Sequence, residues 1–264
     1  MGKVKYLLPY ERHRRIFEKV LKEHTITIAE LVQEFNVSEM TIRRDLQTLE
    51  NEGKVEQVYG GVTSISRTPF ELSFAQRELV NQAEKRAIGY AAAQLVHDGD
   101  VIALDGSSTT VQLARNLHFC TNLNVITNGV KPAIEMAHRP GISVILTGGE
   151  LFQTTSLVGP YARATLERLR VEKLFLSVTG INVEMGLSGP SELDSEIKAC
   201  MIAIADQVIL LADSTKFGRQ SYTKVAPLAD IHVVVSDAVL SKEWQRILEE
   251  LGIKVILANI DESG

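Results

Sequence analysis

The run Ser38-Glu39-Met40-Thr41-Ile42-Arg43-Arg44-Asp45-Leu46 constrains this chain more than any other segment. Preceded by Asn36-Val37, it reads as the turn and second helix of a helix-turn-helix. Ser38 is a good N-cap, because its hydroxyl can accept a hydrogen bond from a backbone N–H that the helix leaves unpaired. Ile42, Leu46 and Leu49 recur at i, i+4 and i+7 and form one apolar stripe. The opposite face carries Met40, Arg44 and Gln47, flanked by Thr41, Arg43 and Thr48. Guanidinium, amide and hydroxyl groups along one exposed face suit contacts to base edges and phosphates. An ordinary amphipathic helix can also carry an Arg-Arg pair, so the flanking segments decide the reading.

Upstream, Glu11 to His24 has Ile16, Val20 and Leu21 at helical spacing and predicts a first helix. Thr25-Ile26-Thr27 breaks that pattern, and Thr27 can cap a second helix with Ile28, Leu31, Val32 and Phe35 as its buried face. Downstream, Glu52-Gly53 stops the third helix at a glycine. Lys54 to Tyr59 then reads as a short strand closed by Gly60-Gly61. Three helices, a strand and a glycine turn make a winged helix-turn-helix. Here the chain resembles the DeoR family of bacterial transcription regulators, whose hallmark is a Ser-x-x-Thr-Ile-Arg-Arg-Asp-Leu run. Ser38, Thr41, Ile42, Arg43, Arg44, Asp45 and Leu46 match it unbroken. The family's wing usually reads His-Gly-Gly, where this chain has Tyr59-Gly60-Gly61. The residues expected to meet double-stranded operator DNA are Arg15, Ser38, Met40, Thr41, Arg43, Arg44, Gln47, Tyr59 and Gly60.

The net charge of −5 does not advertise nucleic acid, so its distribution matters more than its sum. Residues 1–22 carry seven basic and two acidic side chains, whereas 23–61 carry three and eight. The positive field is thus confined to the N-terminal arm, the first helix and Arg43-Arg44. Such a stripe suffices for phosphate contacts. It also implies modest affinity per protomer and self-association, as a dimer or tetramer. No apolar run approaches membrane-spanning length and no signal-peptide core is present, so a cytoplasmic location without a membrane partner is expected. Cys120 and Cys200 lack ligand spacing, and His13, His24, His97, His118, His138 and His232 are dispersed, so neither disulfide, metal nor cofactor is expected.

At 264 residues the chain suits two domains: a DNA-binding module over 1–61 and an α/β domain over 74–264, joined by a Ser/Thr-rich linker within 62–73. A long amphipathic helix is expected over about Phe74 to Val96. Apolar runs at Val101–Leu104, Val125–Ile126, Val144–Leu146, Phe175–Val178, Val208–Leu211, Val233–Val235 and Val255–Leu257 read as buried strands. Helical segments near 109–118, 130–138, 161–169, 192–206 and 241–251 separate them. That alternation predicts a mostly parallel sheet, whose ligands bind beyond the carboxyl ends of the strands.

Those strand ends are chemically loaded. They carry Asp105-Gly106-Ser107-Ser108-Thr109-Thr110, Thr127-Asn128, Gly148-Gly149 and Asp213-Ser214-Thr215-Lys216. Hydroxyls and amides at a helix start form an anion site, and Lys216 would add a cation. The loops also resemble the DeoR sensor domain in order along the chain, and the resemblance spans about residues 10–257. It implies a fold similar to ribose-5-phosphate isomerase and coenzyme A transferases. The implied effector is a phosphorylated sugar or polyol, bound by Asp105, Ser107, Ser108, Thr109, Thr110, Thr127, Asn128, Gly148, Gly149, Glu196, Lys198, Asp213 and Lys216. Ser107 stands where the family has glycine, which would narrow backbone approach to a phosphate. The leading reading is therefore an effector-relieved repressor of a carbohydrate or polyol catabolic operon. One alternative is a sugar-phosphate isomerase or hydrolase with an accessory DNA-binding module, its acid and base drawn from Asp105, Glu150, Glu192, Glu196 and Asp213. Another is a constitutive DNA-binding protein whose large domain only oligomerises.

Overall fold

The computed structural model describes residues 7–260 apart from 24, 53, 65–73 and 154. The chain divides into two compact units, Met1–Leu72 and Ser73–Gly264.

The first unit runs α1 (Pro9–Glu23), β1 (Thr25–Thr27), α2 (Ile28–Phe35), α3 (Glu39–Asn51), β2 (Val55–Val58) and β3 (Gly61–Ser64). Thr27 starts α2 with a capping box. Its hydroxyl accepts from the Glu30 amide at 3.2 Å, and the Glu30 carboxylate accepts from the Thr27 amide at 2.8 Å. Asn36 adopts φ 48° and ends α2, so the chain turns sharply before Ser38 caps α3. Ile16, Phe17, Val20, Leu31, Ile42, Leu46 and Leu49 form the buried core between the helices. Each contributes about 1.5–3 kcal/mol by burial. Val32 and Phe35 are only half-buried.

The wing departs from expectation. Gly61–Ser64, assigned from the sequence partly to the linker, is a strand, and it is the central one in the antiparallel order β1-β3-β2. The β-branched triplet that interrupts the first helix explains this, because Ile26 lies opposite Val62 in the pairing. Gly61 permits the close approach: a Cβ there would stand 2.6 Å from the Ile26 carbonyl oxygen.

Asp45 is buried beneath α3. Arg12 donates to its two oxygens at 2.5 and 3.0 Å, and His13 Nε2 lies 2.7 Å from Oδ1. This ties α1 to α3 across 33 residues of sequence.

The second unit opens with α4 (Phe74–Leu79), α5 (Gln82–Ala93), β4 (Val101–Leu104), α6 (Ser108–Arg115), β5 (Leu123–Thr127), α7 (Val130–Met136) and β6 (Ile142–Leu146). It continues through β7 (Glu150–Phe152), β8 (Ser156–Val158), α8 (Pro160–Leu166), β9 (Val171–Leu176), β10 (Gly180–Asn182), β11 (Gly186–Gly189) and α9 (Glu192–Ala203). Last come β12 (Ala205–Leu211), β13 (Thr223–Ala226), β14 (Val233–Asp237), α10 (Lys242–Glu250) and β15 (Lys254–Ala258). The seven predicted runs all lie in one parallel sheet of order β15-β14-β12-β9-β4-β5-β6. Alternate side chains feed opposite layers. Ile209 and Leu211 pack with Ile88 of α5 and Leu113 of α6, whereas Val208 and Leu210 pack with Leu166 of α8 and Ile197 of α9.

Three expectations need correction. The helix expected over 74–96 is two helices, broken at Val80-Asn81, where Asn81 takes φ 51°. The strand expected over 175–178 spans Val171–Leu176, and Ser177-Val178 already belong to the loop beyond it. The hairpin β7–β8 and the small sheet β10-β11-β13 are absent from the sequence reading, because strands of three or four residues carry too little periodicity.

Removing the Asp45 carboxylate leaves the Arg12 guanidinium buried and uncompensated. Asp45→Ala is expected to destabilise the first unit by about 3–5 kcal/mol. Urea titration followed at α-helical dichroism checks this, as an earlier first transition; an unshifted midpoint would reassign the pair to the surface class.

Candidate functional site

On the first unit, α3 presents Met40, Arg43, Arg44 and Gln47 to solvent, with Thr41 half-buried. The two arginines differ. Arg43 is held by Glu39 one turn earlier, at 2.6 Å. Arg44 has no ion pair among the described residues and leaves the helix most nearly opposite the Ile42–Leu46 stripe. Ser38 is spent on capping, accepting from the Thr41 amide at 3.2 Å, and its hydroxyl lies 2.8 Å from that of Thr41. Gln47 is drawn toward the wing: it donates to Glu50 and Asn51, each at 3.2 Å, and accepts from Gln57 at 3.4 Å. Glu50 also accepts from the Gln57 amide at 2.9 Å, which fixes the wing against α3 and lowers the Glu50 carboxyl below its ordinary value. Tyr59 stands fully exposed at the wing tip beside Gly60, whose φ is 76°. Arg15 is exposed on α1 and paired with Glu11 at 3.2 Å.

In the second unit the connection order changes direction between β4 and β9. The chain passes from β4 to β5 and β6 on one side, then returns to β9 on the other. Ligands of parallel sheets bind at such a switch point. Asp105 follows β4 there and is fully buried. Its Oδ1 accepts from the Ser107 amide at 3.2 Å and the Thr110 hydroxyl at 3.0 Å. Its Oδ2 accepts from the Ser177 amide, beyond β9, at 3.2 Å and pairs with Lys198 at 3.2 Å. Placed by the sequence among the effector-binding residues, Asp105 holds the two strand ends and Lys198 together.

A small cleft opens beside this carboxylate. Arg77, Gly106, Ser107, Ser156, Asp194 and Lys198 supply its polar surface, and Phe152 and Pro190 its apolar walls. Ser107 caps α6 by accepting from the Thr110 amide at 3.2 Å. The amides of Ser108 and Thr109, at the start of α6, have no carbonyl behind them in the helix. Ser107 has φ −82°, an ordinary backbone, so glycine is not required there. The tight position is Gly106, whose Cβ would collide with the Ser156 hydroxyl.

Lys198 donates to the Ser177 carbonyl at 2.8 Å and pairs with Asp194 at 3.1 Å. Burial alone would lower its ammonium; Asp194 and Asp105 outweigh burial and hold it above the ordinary lysine value. Lys216, half-buried on the turn after β12, is displaced the other way. Burial lowers it, Asp213 opposes, and Arg77, Arg219 and Lys198 lower it further. Arg77 is also lowered by burial, against Asp194 and Asp105, and its Nε is buried without a partner. Lys85 lies behind them, capping the carbonyls of Arg77 and Val80. Burial, with Lys216 next, lowers Lys85 to about 7.

The remaining expected ligands are placed elsewhere. Thr127 donates to the Leu104 carbonyl at 2.7 Å and Asn128 to the Leu157 carbonyl at 3.1 Å, so both are buried braces between strands. Thr109 and Thr110 are buried on α6, and Ser108 lies under α4, donating to the Arg77 carbonyl at 3.5 Å. Gly148 and Gly149 make the β6–β7 turn, with φ of 72° and 116°. Glu196 is exposed and paired with Arg163 at 2.9 Å. It sits two residues before Lys198 and therefore faces away from it, at 3.6 residues per turn. Asp213 accepts from Asn81 at 3.0 Å and from the Thr215 hydroxyl, leaving Oδ2 buried and unpartnered. The sequence reading missed Arg77, Ser156 and Asp194. Asp194 had a signal, because it stands four residues before Lys198 on one helix face. Ser156 had none, because only the fold brings it to Gly106.

A winged helix-turn-helix with an exposed arginine face, joined to an α/β unit with a cationic cleft, defines a DNA-binding regulator with a sensor domain. Residues 12–68 match the DeoR-like helix-turn-helix domain, and residues 80–238 match the DeoR C terminal sensor domain. The chain belongs to the DeoR family of transcription regulators. It is 39% identical to the uncharacterized HTH-type transcriptional regulator YulB of Bacillus subtilis, over 98% of this chain and 100% of that protein. It is 32% identical to the transcriptional repressor AccR of Agrobacterium fabrum, over 94% of this chain and 97% of that one. Among solved structures, ribose 5-phosphate isomerase A of Methanocaldococcus jannaschii aligns with a TM-score of 0.38 and 16% identity, over 52% of this chain and 55% of that one. The relatives are regulators, not enzymes. Among the described residues no helix is long and apolar enough to cross a membrane.

Arg44→Ala is expected to weaken operator binding by about 1–3 kcal/mol, the worth of a lost bidentate base contact. Arg43→Ala should cost less, because Glu39 already holds that guanidinium. Fluorescence anisotropy on a labelled operator ranks the two, and a larger loss at Arg43 would reverse the assignment. Lys85 yields a pH prediction. Its folded value, about 7, lies below the ordinary 10.5, so the unfolded chain binds more protons between these limits. Stability of the sensor unit should therefore rise as the pH climbs from about 7 toward 10.5. Lys85→Met should flatten that rise in denaturant midpoints; an unchanged slope would assign it to other groups.

Proposed function

We propose that this regulator represses a carbohydrate or polyol catabolic operon and is released when a phosphorylated sugar or polyol binds the cleft of the sensor unit. The observation that carries the reading is the convergence of Arg77, Lys198 and the Ser107 helix start on one cleft, beside Lys216, whose ammonium is lowered first by burial and then, against Asp213, by Arg77, Arg219 and Lys198. Mutually repelling, part-buried cations favour an anionic partner. The phosphate is assigned to Ser107 and the first amides of α6, with Arg77 and Lys216 as cations. Asp194, which lines the cleft, takes the hydroxyls in place of the enclosed Asp105. The name of AccR supports the sign of control, and 1–61 acts as the DNA-gripping module in a cytoplasmic homo-oligomer, a dimer or tetramer. One module offers few basic groups, so paired half-sites share the work and binding falls steeply with salt.

A thermal-shift screen of sugar phosphates, followed by operator release with each hit, tests the reading. For a hit, Lys216→Ala is expected to weaken the phosphorylated compound about ten- to hundredfold, as for a lost charge-assisted contact. Operator affinity without ligand should be unchanged. Equal loss for the phosphorylated compound and its unphosphorylated parent, or loss for neither, would remove Lys216 as the phosphate anchor.

A further inference from the structure

The short helix α4 is the first described element after residues 65–73, the segment that joins it to the DNA-binding unit. A helix of six residues has no stability of its own in water, so its position is set by its contacts. Those contacts converge on the cleft. The Arg77 side chain lines it, with Nε buried and without an acceptor. The Arg77 carbonyl accepts from Ser108 at the start of α6 at 3.5 Å, and also from Lys85. Beyond the end of α4, Asn81 takes the left-handed turn into α5, and its side-chain amide donates to Asp213 at 3.0 Å and Thr215 at 3.3 Å. The turn after β12 therefore grips the joint of the same helix. On its far side Glu78 pairs with Arg115 at 3.0 Å and Lys131 at 2.9 Å, both within the sensor unit.

Resting on the effector reading above, we propose that α4 is the relay of this regulator. An anionic ligand drawn onto Arg77 repositions or orders α4 about the Asn81 joint, and so alters the chain leading to the DNA-binding unit. The physical basis is a difference in satisfaction. Without ligand the buried Arg77 Nε lacks an acceptor; with one, a charge-assisted hydrogen bond favours a single placement of α4. That difference in free energy is what a ligand needs to shift a population. Asn81 is a positioning residue, because it reaches the site only through Asp213 and Thr215.

Hydrogen–deuterium exchange on the full chain, with and without inorganic phosphate as the probe, tests the relay. Slowed exchange is expected at 106–110, in α4, and in the peptide covering 65–73. Arg77→Met should weaken phosphate about ten- to hundredfold and abolish all three changes. Asn81→Gly keeps the left-handed turn without strain, so it should retain protection at 106–110 and lose the change at 65–80. Protection at 106–110 with none in α4 or 65–73 in the unmodified chain would overturn the relay and leave the effector site standing. Protection at 65–80 persisting in full in Asn81→Gly would overturn the role of the joint. No protection at 106–110 in the unmodified chain would overturn the phosphate site and the relay with it.

Discussion

Asp105 is the group on which the ligand end of the sensor unit depends. It is fully buried at the point where the connections of the parallel sheet change direction, between β4 and β9. A bare carboxylate in that position would cost far more than the fold can supply. Two amides, a hydroxyl and one ammonium offset that cost, and they come from three different parts of the site. The Ser107 amide sets the α6 loop, the Ser177 amide sets the end of β9, and Lys198 is brought in from α9. One carboxylate thus fixes three walls of the cleft. This is why it serves as a frame.

The cations around that frame divide into two kinds. Lys198 is compensated, lying 3.2 and 3.1 Å from Asp105 and Asp194, and its charged form is favoured. Lys216, Arg77 and Lys85 are each lowered by burial, and Lys216 and Arg77 both lower Lys85 further. Asp213 stands among them, yet it does not reverse the lowering at either lysine. Strain of this kind concentrates at functional sites, and here it lies beyond the carboxyl ends of β4 and β12, where bound anions are found in such sheets.

Most of the fold was legible in the sequence because its strands are continuous apolar runs and its helices carry caps. All seven runs from Val101 to Leu257 entered the central sheet; the inner strands are largely buried, whereas the edge strands β6 and β15 leave Ile145, Leu146 and Leu257 exposed. Ser38, Thr27 and Ser107 act as the caps that their types suggest. The break at Asn81 was not legible, because the segment keeps an amphipathic pattern through it. What breaks it is Asp213, 132 residues away. The site was legible as a set of loops but not as a set of directions. Glu196 and Lys198 share a helix, yet only one faces the cleft, and Asp105 and Asp213 look alike in sequence while only the first is enclosed by four donors. Arg77 lay in a segment read only as a helix, so nothing local marked it as part of the cleft.

The economy of the DNA-binding unit bears on how little the sensor must do. Arg43 is already paired with Glu39, Gln47 is engaged with the wing, and Ser38 and Thr41 are occupied at the helix start. Arg44, Met40 and Tyr59 are what α3 and the wing offer most freely. A module with so few uncommitted groups is expected to bind weakly by itself, and on the proposed oligomeric reading tight binding rests on two modules held at the right separation. Losing that separation removes the gain from pairing, so a coupling of about 1–3 kcal/mol between the sensor and the linking chain is enough to change occupancy several-fold or more. One charge-assisted hydrogen bond at Arg77 lies in that range. On the proposed reading, a single contact in the cleft is therefore commensurate with the switch, and it requires no large rearrangement of the sheet.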